Sequence, residues 1–319
     1  MLRTYEELKE LVAPTEEEFI LIDRLQKIKA IITRFGEDNF YIAFSGGKDS
    51  TVLSTLVDLA LPDNNIPRVY ANTGIELNMV RDFVFKLSEK DERIKIIKPS
   101  VPIVKSLKED GYPFKSKKHA HQVERFNRIG MCPSIKAYLG EGSWGKKQQC
   151  PKILRHQFDD DFKNRLLISD KCCINLKEKP LEKWCKEHKK PYAIVGIMQD
   201  EGGRRENAVC TLFVNDKLKK FQPMSVVTKA WEEWFIKEYD VDICPIYLSP
   251  YNFVRTGCKG CPFALHLQEE LDTLEKFFPE ERRQCEIIWK PVYDEYRRLN
   301  YRLKGNKEYE QMTLFDFIS

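Results

Sequence analysis

The stretch FYIAFSGGKDSTVLS, Phe40 to Ser54, decides how the chain folds. Phe40–Phe44 is a short unbroken apolar run, the pattern of a strand buried in a parallel sheet. Gly46 and Gly47 follow at once, and from Asp49 to Leu59 apolar residues return at helical spacing. A strand that turns on glycines into a helix directs the helix's unbonded N–H groups and the positive end of its dipole at one place. Glycine has no Cβ to keep a ligand from the backbone. Ser45 and Ser50 add hydroxyls, and Lys48 adds a positive charge. Such a turn is a cradle for phosphate or sulfate. It lacks the G-x-x-x-x-G-K-S/T spacing of a Walker A loop.

Outward from the turn, the same alternation repeats. Phe19, Ile22, Leu25, Ile28, Ile31 and Ile32 predict an amphipathic helix over 18–35. Strands are expected at Arg68–Ala71, Ile94–Ile97 and Tyr192–Gly196, with helices through Leu87 and near Ile103–Lys108. Strands alternating with helices predict an α/β fold: a Rossmann-like parallel sheet with helices on both faces, plus a helical, Cys-containing C-terminal part. The turn then lies at the end of the first strand, where open parallel sheets place their ligands. The expected division is a nucleotide-binding domain over 1–220 and a C-terminal part over 221–319. Residues 111–165, rich in Lys, Arg, Gly and Pro, read as a loop-rich insertion in the first.

With 319 residues, 42% hydrophobic and 32% charged, the chain has ample material for a core. A net charge of +4 demands no general polyanion-binding surface. No apolar run approaches the roughly twenty residues of a membrane span. Met1–Glu7 has no apolar stretch, so no secretory signal and a cytoplasmic location are expected. In that compartment ten cysteines read as metal ligands, reactive thiols or core residues. Lys171-Cys-Cys173 and Gly257-Cys-Lys-Gly-Cys261 together offer four thiolates, enough to close a zinc or an iron–sulfur site. Ligand chemistry alone leaves that choice open. Cys132 and Cys150 have no assigned role, and Cys185, Cys210 and Cys244 read as small core residues.

Ser45-Gly-Gly-Lys-Asp-Ser50 resembles the PP-loop of the adenine nucleotide α-hydrolase-like enzymes, which include adenylating ATP pyrophosphatases and phosphosulfate reductases. Cys172-Cys-x-x-x-Lys177-x-x-Pro180-Leu181, followed by Cys258-x-x-Cys261, resembles the iron–sulfur pattern of adenosine phosphosulfate reductases. Asn72-Thr-Gly74 with Glu76, the Gly196–Arg205 segment, Pro223–Trp234 and Cys244–Gly257 are similar to the same family. The resemblance thus spans about 40–265 and implies membership of the phosphoadenosine phosphosulfate reductase family. It implies that Ser45, Gly46, Gly47, Lys48, Asp49, Ser50, Asn72, Thr73, Gly74, Lys177, Arg204 and Arg205 bind the nucleotide. Lys48 and Asp49 are then the catalytic pair. Asp49 either meets Mg²⁺ through water or caps its helix. Cys172, Cys173, Cys258 and Cys261 are the ligands of a 4Fe–4S cluster, with zinc as the alternative. The substrate implied is ATP or an adenylyl sulfate.

The reductases end in Glu-Cys-Gly-Leu-His, whose cysteine attacks sulfur. This chain has no such tail, and Cys285 in Arg283-Gln-Cys-Glu286 reads as a helix residue facing the core. The departure shifts the resemblance toward members such as the ATP pyrophosphatases of bacterial DNA phosphorothioation, which implies adenylation-type sulfur transfer with a cysteine desulfurase as sulfur source and nucleic acid as a candidate acceptor. The alternatives are adenylyl-sulfate reduction with a thioredoxin-like donor, and a nucleotide-binding regulator without turnover. Lys115, Lys117, Lys118, His119, His121, Arg125 and Arg128 form a basic run, either a solvated face or a phosphate contact. Gln311–Phe315 resembles the peptide by which bacterial proteins dock on the replication sliding clamp. Its other reading is a tail folded onto its own domain.

Overall fold

The computed structural model describes residues 3–141, 145, 149–201 and 206–305. Helices α1 (Tyr5–Lys9) and α2 (Glu16–Phe35) lead into β1 (Phe40–Phe44), α3 (Lys48–Ala60), β2 (Arg68–Ala71), α4 (Asn78–Lys90) and β3 (Ile94–Ile97). A helical stretch follows: α5 (Ile103–Asp110), α6 (Lys117–Ile129), α7 (Pro133–Leu139) and the single turn α8 (Lys171–Cys173). A π-helical turn over Ile174–Glu178 continues it. The chain returns through α9 (Lys179–Glu187), β4 (Tyr192–Ile194), β5 (Thr211–Val214), β6 (Lys217–Phe221) and α10 (Lys229–Glu238). The last helices among the described residues are α11 (Leu267–Phe277) and α12 (Pro279–Arg298). Met1–Pro99 with Lys179–Thr256 form one compact unit, and Ser100–Glu178 with Gly257–Ser319 form a second.

The first unit holds the expected α/β fold. Its sheet has the order β3-β2-β1-β4-β6-β5, parallel throughout except for the β5–β6 hairpin. Pleating sends alternate β1 side chains to opposite faces. Phe40 and Ile42 join a core with Leu25 and Ile28 of α2, Leu53 and Leu56 of α3, and Phe235 of α10. On the other face Tyr41 meets the edge of the Trp184 ring in α9, with centroids 6.0 Å apart. Thr15 caps α2: its hydroxyl accepts from Glu18 N at 3.2 Å, and the Glu18 carboxylate accepts from Thr15 N at 2.8 Å. The hairpin escaped the sequence reading. Its turn is Asn215-Asp216 with φ of 49° and 59°, the left-handed pair that suits a tight hairpin.

The second unit is helical. Residues 111–165 hold α6 and α7, so that stretch is less loop-rich than its composition suggests. Ala120, Val123 and Phe126 give α6 a buried face, which the basic residues between them disguise. His119 belongs to that face and not to a solvated basic run. Its ring nitrogens lie 3.0 Å from the Tyr138 hydroxyl and 2.7 Å from Gln157 Oε1, and burial pulls its pKa down to about 3. Among the described residues no helix is long and apolar enough to cross a membrane.

Candidate functional site

β1 ends at Phe44, and the chain turns through Ser45, Gly46 and Gly47 into α3. Gly46 has φ +69°, and a Cβ there would collide with Val84 and stand 3.2 Å from Val80 Cγ1. Only glycine meets both demands at low cost. A Cβ on Gly47 would stand 3.1 Å from Ser45 Oγ and 3.2 Å from the Tyr247 hydroxyl. Gly196, just after β4, lets the chain pass the start of α3, since a Cβ there would lie 2.9 Å from the Asp49 carbonyl oxygen. The two serines brace the turn. Gly47 N donates to Ser45 Oγ at 3.2 Å, Ser45 N donates to Ser50 Oγ at 3.2 Å, and Ser50 Oγ donates to the Gly47 carbonyl at 2.9 Å. The Lys48 backbone N–H, the first of α3, is met by the Tyr247 hydroxyl, which also bonds Thr256.

Lys48 does not stand alone. Its Nζ lies 3.0 Å from Glu232 Oε2 of α10, and the Glu232 side chain is 0% exposed. That approach is an ion pair without hydrogen-bond alignment, and neither Glu232 oxygen has a well-formed hydrogen bond. Burial first, then the neighbouring Asp49 carboxyl, push the Glu232 pKa up to about 7, against the lowering pull of Lys48. The Asp49 carboxyl is thus engaged by Glu232. Sequence reasoning missed Glu232, because Glu232-Glu233 reads as the polar side of an amphipathic helix.

The turn after β2 contains the other expected residues of this unit. Asn72 Oδ1 accepts from Gly74 N at 3.2 Å, and Gly74 has φ +77°. Thr73 is buried and donates through N and Oγ1 to Glu76 Oε1 at 3.1 and 2.6 Å. Arg204 and Arg205 lie outside the described residues, as does the Gln311–Phe315 tail.

All four candidate ligand thiols belong to the second unit. Cys172 and Cys173 form the single turn α8, and Lys177 follows in the π-helical turn. The Cys173 thiol is drawn down to about 6, chiefly by the hydrogen bond from Cys172 and then by Lys117 and Lys177. Cys172 is held well above the thiol range by that same bond, by burial, and by Cys173, Cys261 and Cys258. Burial raises Cys261, with Cys258 and Cys173 acting in the same direction. The four sulfurs therefore feel one another's charge. Among the described residues, no three His, Cys, Asp or Glu side chains close around a single ion. The donor set itself, four thiols in one helical unit with lysines beside them, has the chemistry of a thiolate-ligated centre.

The remaining cysteines are scattered. Cys150, Cys244 and Cys285 are buried, and burial pushes their thiols up to about 11, 11 and 12. Cys132 precedes α7 beside Ser134, 3.4 Å from its hydroxyl. Cys185 and Cys210 are half-buried, the latter accepting from Arg24 Nη1 at 3.4 Å.

Residues 39–142 and 145–264 match the family model described as Phosphoadenosine phosphosulfate reductase domain. No curated protein matches the chain. Among solved structures it is similar to phosphoadenylyl-sulfate reductase from Candida auris in its phosphate complex, at 10% identity and TM-score 0.37, covering 74% of this chain and 92% of that one. It is similar to the U34-tRNA thiolase NcsA from Methanococcus maripaludis with its 4Fe–4S cluster, at 16% identity and TM-score 0.37, covering 91% and 82%. The NH3-dependent NAD synthetase from Campylobacter jejuni gives 13% identity and TM-score 0.37, covering 89% and 96%. Likenesses this distant carry no argument about the activity of this chain.

Proposed function

This chain belongs to the phosphoadenosine phosphosulfate reductase domain family, and we propose that it uses the glycine turn to activate an adenine nucleotide for sulfur transfer. The reaction is attack by an acceptor oxygen on the α-phosphorus of ATP. The α–β P–O bond breaks, pyrophosphate leaves with the electron pair, and the acceptor carries AMP until the outer sulfur of a persulfide displaces it. AMP leaves with the oxygen, and a thiol then cleaves the S–S bond, supplying the two electrons and ending as a disulfide. Nucleic acid is the acceptor class in this reading, and a cysteine desulfurase supplies the sulfur. The observation that carries it is the turn itself: Gly46 at φ +69° and Gly47 open the backbone at the start of α3, with Lys48 beside it. Helix N–H groups and a lysine offset the charge that builds on the departing pyrophosphate. Mg²⁺ enters with the nucleotide on its phosphates.

Cys172, Cys173, Cys258 and Cys261 would hold a 4Fe–4S cluster in the second unit. When bound, such a cluster supplies redox and sulfur-ligating iron chemistry. Lys117 and Lys177 favour the charged form of the Cys173 thiol that such a centre needs.

Cys285 weighs against the reductase reading. It is buried, and its thiol is pushed up to about 12. A nucleophilic thiol needs access and a lowered pKa. The test is to incubate anaerobically purified protein with α-labelled ATP, total tRNA or DNA, and a cysteine desulfurase with cysteine and a thiol, and in parallel with adenylyl sulfate and thioredoxin. Pyrophosphate and AMP from wild type, absent in Lys48→Ala, are expected. Sulfite without pyrophosphate would make it a reductase, and bound ATP with neither product would make it a regulator.

A further inference from the structure

The CxxC loop of the second unit rests on a single face of α12. Glu281, Cys285, Trp289, Tyr293 and Tyr296 recur at intervals of four and three residues, so they form one row on the helix, and all are buried. Each meets the loop. Lys259 Nζ lies 3.3 Å from Glu281 Oε2 and donates to Gln284 Oε1 at 2.7 Å. Gly260 has φ +57°, and a Cβ there would stand 2.8 Å from Cys285 Sγ and 2.5 Å from the Tyr293 hydroxyl. Trp289 Nε1 donates to the Lys259 carbonyl at 2.9 Å, Tyr293 to the Gly260 carbonyl at 2.5 Å, and Tyr296 to the Pro262 carbonyl at 2.8 Å.

Three loop carbonyls are thereby bound to the helix. The Phe263 N–H bonds the Cys261 sulfur, and the Cys261 N–H donates to the Cys258 carbonyl at 3.1 Å. A core helix with no concern for the loop would cover it with aliphatic side chains. This one spends two tyrosine hydroxyls and an indole N–H on it. The family match ends at residue 264, so α12 lies beyond it.

We infer that α12 is the positioning element for Cys258 and Cys261, with Trp289, Tyr293 and Tyr296 holding the loop carbonyls against the helix so that the two sulfurs are preorganised for a metal centre. The inference rests on the reading of these cysteines as metal ligands. Loss of groups that support a ligand from behind typically lowers metal affinity about 10–100-fold.

The test uses anaerobically purified full-length protein and follows release of its metal, iron or zinc, to a chromogenic chelator. Tyr293→Phe and Trp289→Phe are compared singly and together, with Ile287→Ala, on the exposed side of α12, as control. Far-ultraviolet circular dichroism reports folding in each sample. The double variant is expected to release metal about 10–100-fold faster than wild type while keeping its helical signal. Should it fail to fold, the two single variants carry the comparison. Variants that fold and release metal at the wild-type rate would show that α12 only braces the unit, and the inference would fall. Wild-type protein holding neither iron nor zinc would overturn the ligand reading, and the inference with it.

Discussion

Replacing Glu232 with glutamine keeps the shape of the Lys48 partner and removes its titration. Glu232 is 0% exposed, and burial with the adjacent Asp49 raises its pKa from 4.5 to about 7. A raised acid pKa means that the folded protein binds the proton more tightly than the unfolded chain. Stability from this group is therefore full below pH 4.5 and lost as pH rises to about 7. Each pH unit in that window is worth about 1.4 kcal/mol, so ionising Glu232 in the fold costs about 3 kcal/mol. Urea unfolding of wild type and Glu232→Gln, followed by tryptophan fluorescence at about pH 5 and about pH 8, cancels the titrating groups that do not interact with Glu232. The stability of the variant relative to wild type should grow by about 2.5 kcal/mol between the two conditions. A difference that does not change with pH would refute the reasoning. It would mean that Lys48 compensates the buried carboxylate fully.

Gly46→Ala should abolish ATP binding measured by calorimetry, because the new Cβ meets Val84 and the residue must keep φ +69°; an unchanged Kd would mean that the turn can relax. Arg68 is fully buried, donating to Ser54 Oγ at 3.0 Å and Asn64 Oδ1 at 2.9 Å and pairing with Asp58 at 2.6 Å. Arg68→Ala should cost about 3–5 kcal/mol in urea unfolding, and a near-neutral result would show that water fills the gap.

The sheet was legible because the apolar runs at Phe40–Phe44, Arg68–Ala71 and Ile94–Ile97 are short, bounded and separated by helical periodicity. The glycine turn was legible for a local reason: its spacing and its φ demand involve neighbours in sequence. Part of what stayed hidden depends on partners far along the chain. Lys48 finds Glu232 across the core of its unit, and no pattern near Gly46 announces it. Ser45 and Ser50, read as ligand donors, spend hydroxyl bonds on the turn itself. α6 was masked because Lys117, Lys118, Arg125 and Arg128 outweigh Ala120, Val123 and Phe126 in any count of composition. The aromatic row of α12 has helical spacing in plain view, but its meaning depends on the loop it covers.

Iron, acid-labile sulfide and zinc in anaerobically purified protein measure most directly whether Cys172, Cys173, Cys258 and Cys261 serve a cluster. The expected result is about four irons with matching sulfide and a broad visible absorption band, all lost in Cys261→Ser. Zinc without sulfide would contradict it, making the four thiols a structural site.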